Sequence, residues 1–164
     1  MVKERKAVHP DIYSKAHPEK SATRVSINAF MMGSLFFILT LIWTLNPEKF
    51  NLIIITQLVL AIPLLFISSL AYPKVGYWAH HEVWDRFAWI TNTIGNIFVM
   101  NVTGLITASI FPKLAIVYFA LTILLIFIYY LINIIYSKHT IKERLIKFLL
   151  FLIVIYLGGI KPIL

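Results

Sequence analysis

Five apolar runs leave this chain very few ways to fold. Each is close to the ~20 residues that a helix needs to cross ~30 Å of hydrocarbon. They cover about 25–45, 51–72, 87–111, 114–136 and 145–164. A backbone inside lipid has no water to bond with, so it must satisfy its own N–H and C=O groups. Runs of this length without strand-like alternation do that as helices. The composition agrees: 60% of residues are hydrophobic, and the mean hydropathy is +0.84. A soluble domain of this size would have to expose large apolar patches to carry so much. The expected fold is therefore all-α, a polytopic transmembrane bundle of five spans.

The breaks between runs have helix-ending and helix-starting chemistry. Asn46-Pro47-Glu48 offers a cap, a first-turn proline and an acid at a helix N-terminus. Tyr72-Pro73 is expected to end the second span, because a residue before proline is pushed out of the α region. Phe111-Pro112-Lys113 makes a very short turn into the fourth span. Thr140-Ile141-Lys142-Glu143 fits a capping box before the fifth. Pro63, inside the second span, removes one backbone donor and crowds the carbonyl of Val59, so a bend is expected there. Gly158-Gly159 and Lys161-Pro162 are expected to open the last turn of the fifth span.

Charge gives an expected orientation. Of fifteen Lys and Arg residues, twelve flank the spans on one side: six in the tail, Lys74 and Arg86 after span two, and Lys138, Lys142, Arg144 and Lys147 after span four. Only Lys49, Lys113 and Lys161 lie on the other. By the positive-inside rule, the N-terminus is cytoplasmic and the C-terminus outside. Residues 1–24 form a basic cytoplasmic tail, and 25–164 form one five-helix transmembrane domain. Span one reads as an uncleaved signal anchor: its apolar run exceeds the usual signal-peptide core, and no small-x-small cleavage site follows. The expected location is the cell membrane. Lys3, Arg5, Lys6, Arg24 and Arg86 are expected to contact anionic lipid headgroups, each contributing about 1 kcal/mol of attraction.

Span three differs from the rest. At 100° per residue, His81, Asp85, Asn92, Asn96, Thr103 and Thr107 fall within about an 80° arc, with Asn101 on the opposite side. A polar stripe is costly against lipid and belongs against other helices or a wet cavity. Asn92, Asn96, Thr103 and Thr107 are thus the expected polar intramembrane face, turned towards spans one and two. Ser26, Asn28, Ser34, Thr40 and Gln57 are the candidate partners there. Asn101 is expected to be the less important amide. Span one also carries Ala29 and Gly33 at a spacing that suits close helix contact.

Just before the stripe stands "HHEVWD". Its His-Glu-Val-Trp-Asp portion is similar to the His-Glu-x-x-His pattern, in which two histidines hold zinc and the glutamate is the base. Asp85 stands where the second histidine would be, and aspartate can also ligate zinc. His81 and Asp85 are the candidate metal ligands, for a divalent ion, and His81, Glu82 and Asp85 the candidate catalytic groups. The plainer reading is that Glu82 and Asp85 favour a helix N-terminus, with Trp78, Trp84 and Trp89 fixing depth at the interface. With no cysteine, thiolate sites, disulfides and cysteine nucleophiles are excluded. There is no phosphate-binding glycine loop and no nucleophile elbow. Nor is there a folded basic domain, so nucleic acid is not an expected partner.

The expected function is a small integral membrane protein, transport-type or accessory, with a polar face on span three. Its expected partners are the lipid bilayer and either further copies of itself or a larger membrane complex. An alternative is a metal-dependent enzyme acting on a lipid headgroup through the HHEVWD cluster; no cofactor other than such a metal is implied.

Overall fold

A computed structural model describes residues 18–45, 50–77, 81–136 and 141–163. They form α1 (Pro18–Leu45), α2 (Leu52–Tyr77), α3 (His81–Ile110), α4 (Pro112–Tyr136) and α5 (Ile141–Ile155), the last continued by a π-helical turn over Tyr156–Ile160. Among the described residues there is no strand. Four helices contain stretches long and apolar enough to cross a membrane: Ser21–Thr44, Leu52–Val75, Val83–Ile110 and Pro112–Ile132. The shortest has 21 residues, which at 1.5 Å per residue is roughly 31 Å. The fifth apolar stretch, Leu145–Ile160, is shorter. This is the build of a multi-pass membrane protein.

Local chemistry explains the helix ends. Asn51 starts α2: its Oδ1 accepts the Ile53 N–H at 3.0 Å, and its carbonyl accepts that of Ile54 at 2.8 Å. Phe111 separates α3 from α4, and Pro112 takes the first helical position of α4, where a missing N–H costs nothing. The caps expected at 46–48 and at Thr140 lie outside the described residues. The expected end of span two at Tyr72 is overturned, because α2 runs through Pro73 to Tyr77. Tertiary contact outweighs the local preference there. Ala71 and Tyr72 are buried against Ala88 of α3, and the Arg24 guanidinium lies 4.9 Å over the Tyr72 ring.

The core is built around α2 and α3. Leu35, Leu39 and Ile42 of α1 pack with Ile54, Leu58, Ala61 and Leu65 of α2 and with Val102 and Leu105 of α3. A second cluster, Ile97, Phe119 and Ile155, joins α3, α4 and α5. Tyr130 of α4 meets Phe148 and Phe151 of α5 at ring-centroid distances of 5.2 and 6.3 Å. The outer surface is apolar; Phe30, Trp43 and Leu52 are among its most exposed side chains. In lipid that surface needs no cover.

Two contacts align the helix ends. Arg24 near the start of α1 pairs with Asp85 near the start of α3 at 3.7 Å. Lys147, early in α5, lies 4.5 Å over the Trp89 ring of α3. Thus α1, α3 and α5 begin at one end of the bundle, and their C-terminal ends lie towards the other.

Candidate functional site

Most of the described polar groups inside the bundle fall into three sets around α3; the buried Thr93 and the Thr122 of α4 stand apart from them. The first lies near the Arg24–Asp85 end. The buried Asn28 donates from Nδ2 to Ser68 Oγ at 3.3 Å, and Ser68 donates to the Ala88 carbonyl at 3.1 Å. Thr91 donates to the carbonyls of Phe87 and Ala88 on its own helix. Three helices are thereby tied without breaking any of them.

The second set lies towards the other end, at the break in α5. Gln57 donates from Nε2 to the Gly158 carbonyl at 2.8 Å. Asn101 donates from Nδ2 to Gln57 Oε1 at 2.9 Å and to the Val154 carbonyl at 3.2 Å. The reason lies in the sequence. An α-helical carbonyl bonds the N–H four residues on, and four residues after Gly158 stands Pro162, which has no N–H. The chain first widens and then tightens instead: Lys161 donates to the Tyr156 carbonyl at 2.8 Å, a π-type bond, and Ile163 to that of Ile160 at 3.0 Å. The Gly158 carbonyl is left for a side chain, and Gln57 supplies one.

Phe119 of α4 closes this node. A Cβ added to Gly159 would sit 2.6 Å from the Phe119 ring and 2.7 Å from Asn101 Oδ1, and one added to Gly104 would overlap the same ring. The ring is held between two glycines, one on α3 and one on α5. The glycines are needed for close approach here, since a side chain on either would occupy the volume of the ring. Asn101 Oδ1 is itself buried without a hydrogen-bond donor.

The third set is the stripe of Asn92, Asn96, Thr103 and Thr107. Asn92 and Asn96 are half-buried, Thr103 is exposed and Thr107 half-buried. Thr103 and Thr107 donate to the carbonyls of Val99 and Thr103 on their own helix. Asn92 Oδ1 is cut off from solvent yet has no donor. The arc of about 100° that holds these four residues, together with Val99 and Met100, contains no buried side chain among the described residues. The rest of α3 between Ala88 and Leu105 carries the buried positions, including Thr91, Thr93, Ile97 and Val102. The stripe is thus the least buried face of α3, and α4 reaches its edge: Tyr118 Oη donates to the Met100 carbonyl at 3.1 Å and is hydrogen-bonded with the Thr103 side chain.

Two expectations are corrected. Asn101, expected on the less important side, is completely buried at 0% exposure. It faces α5, whose Val154 carbonyl accepts from its Nδ2. The partners expected for the stripe are engaged elsewhere: Asn28 with Ser68, Gln57 with Gly158 and Asn101, and Ser26, Ser34 and Thr40 with their own helix. The small-residue position Gly33 has nothing within 4 Å of where its Cβ would be, so no described helix of this bundle packs on it.

At the HHEVWD segment, His81 and Glu82 belong to the first turn of α3, and their side chains lie outside the described residues. Asp85 is solvent-accessible and paired with Arg24. No three His, Asp or Glu side chains come together among the described residues. Of the expected lipid-contacting bases, Arg24 and Arg86 are exposed, while Lys3, Arg5 and Lys6 fall outside the described range.

Comparison with protein-family models, with curated proteins and with solved structures returns no match.

Proposed function

We propose that this chain is a multi-pass subunit of a membrane assembly. It is accessory in character and presents the polar face of α3 to a neighbour. The observation that carries this reading is the half-covered stripe, in which the half-buried Asn96 lies near the middle of the Val83–Ile110 span. A carboxamide at membrane depth costs several kcal/mol when unpaired, and a neighbouring subunit supplies the partner that the bundle withholds. The interior argues in the same direction. Between the two nodes along α2, the fully buried Leu58, Ala61 and Leu65 pack in one apolar cluster, and Ile97 of α3 packs in another with Phe119 and Ile155. A transport path confined to one bundle finds no polar continuity there. Any passage of solute belongs along the stripe, between subunits. The surplus of basic residues at the Arg24 end supports placing that end in the cytoplasm of a cell membrane.

The test is the mass of the protein extracted from native membranes in mild detergent. An assembly larger than one 18.9 kDa chain is expected, after allowance for bound detergent. A single chain at every detergent concentration and in intact membranes removes the reading. Sidedness is read separately with a reporter fused after residue 45, which is expected to be active outside the cytoplasm.

A further inference from the structure

We propose that Arg24 is the centre of a binding site for the phosphate of an anionic phospholipid. The site lies where three helices meet the same membrane surface. Arg24 stands three residues inside the start of the Ser21–Thr44 span, Tyr72 three inside the end of Leu52–Val75, and Asp85 two inside the start of Val83–Ile110. At 1.5 Å per residue, all three lie within about 5 Å of a span end, at the level of the lipid headgroups. The guanidinium is fixed on one side. It lies 4.9 Å over the Tyr72 ring, and that ring is buried against Ala71 and Ala88, with Val25 and Trp84 packed around it. Asp85 holds it only loosely. Arg24 Nη1 and Asp85 Oδ1 are 3.7 Å apart, and the two side chains are 46% and 55% exposed. The separation exceeds hydrogen-bond distance, and a pair so open to solvent contributes little. Among the described residues the guanidinium has one hydrogen bond, with the Tyr72 hydroxyl. Most of its fork of N–H donors is therefore free, and that planar fork matches a phosphate. Charge selects the anionic class. Among the described side chains at these three helix ends, Arg24, Lys74 and Arg86 are basic and Asp85 alone is acidic. A zwitterionic headgroup brings a cation into that surplus; an anionic one does not. Phosphate and Asp85 then compete for one guanidinium.

The test compares phosphatidylglycerol with phosphatidylcholine on the full chain in mild detergent, by native mass spectrometry of the retained lipid. Phosphatidylglycerol is expected to bind about five-fold more tightly, the equivalent of one basic contact at the membrane surface. Arg24→Gln is expected to abolish that preference. Arg24→Lys keeps the charge and loses the planar fork, so it is expected to retain only part. Asp85→Asn is expected to raise the preference, because the competing carboxylate is gone. The ratio of the two lipids is read within each variant, so a general loss of stability cancels. If Arg24→Gln does not fold, Arg24→Lys and Asp85→Asn still decide. An ion pair with a purely structural role predicts something different: Arg24→Gln and Asp85→Asn would then act alike. Equal retention of the two lipids by the native chain overturns the proposal. So does a preference that survives Arg24→Gln, that Arg24→Lys keeps in full, or that Asp85→Asn leaves unchanged or lowers. Glycerol phosphate at millimolar concentration is expected to leave the lipid in place. If it displaces the lipid, the site takes a soluble phosphate ester and the lipid is excluded.

Discussion

The two interior nodes solve the same problem with different materials. Near the Arg24 end, Asn28, Ser68 and Ala88 link three helices whose backbones stay helical. One bond there joins two side chains, at a marginal 3.3 Å, and Ser68 passes on to the carbonyl of an intact helix. At the far end, Gln57 bonds to the Gly158 carbonyl released by a broken helix and Asn101 to the Val154 carbonyl beside the break, and an aromatic ring fills the space between two glycines. The first node adds polar contacts to a bundle that apolar packing already holds. In the second, the backbone itself depends on the side chains. A carbonyl without its helical partner has nothing else in lipid to bond. Damage to the two nodes should therefore differ in size.

The largest effect is expected at Phe119. Gly104→Ala places a methyl group inside the ring position, and overpacking of this kind costs about 1–3 kcal/mol or more. Thermal unfolding in detergent should show a clear loss of stability. An unchanged midpoint would mean that Phe119 moves freely and that the ring is not a fixed part of the node.

Asn101→Leu should follow. It leaves Gln57 Oε1 and the Val154 carbonyl without their donor, at about 1–3 kcal/mol. Gln57→Leu frees the Gly158 carbonyl at a similar cost. The double substitution should fall short of the sum of the singles by about 0.5–2 kcal/mol, since the two amides share a bond. Strict additivity in a thermal or denaturant series would show that they act independently.

The smallest effect belongs to the other node. Ser68→Ala removes one long bond and a second acceptor contact at Ala88, and intramembrane hydrogen bonds average about 0.6 kcal/mol. If Ser68→Ala proves as damaging as Asn101→Leu, the contrast between the nodes collapses.

The helices themselves were readable from the sequence because lipid imposes a length and forbids most alternatives. The apolar runs at 25–45, 51–72, 87–111 and 114–136 all reappear, to within one residue, in α1 to α4. The end of α2 was misread, since the rule that ends a helix at Tyr72-Pro73 is local and the burial of Tyr72 against α3 is not. The error at Asn101 has a different origin. A single-helix projection shows which residues share a face, and it cannot say which face the neighbours cover. Four polar residues on one side outweigh one on the other in such a count. The missing information lay in span five, at Gly158 and Pro162. A glycine four residues before a proline near the end of a span announces a free carbonyl, and Gln57 and Asn101 are the buried amides able to meet it. Those three signals were all visible; their meeting required the third dimension. The HHEVWD cluster was legible only as a segment entering α3, because its meaning depends on side chains of His81 and Glu82 and on whatever they face.

The bond between Asn101 and Gln57 also bears on the order in which the molecule is made. Domains and segments synthesised first are free to fold first, and α2 and α3 leave the ribosome well before α5. Their two amides can join as soon as both helices are inserted, while Gln57 Nε2 still lacks its acceptor. The arrival of α5 gives both amides a further acceptor in one step, since it brings the Gly158 and Val154 carbonyls together. A nascent chain halted before residue 154 carries an unfinished amide pair in the bilayer. An incomplete molecule therefore differs from a finished one by an amide donor without its acceptor inside the bilayer.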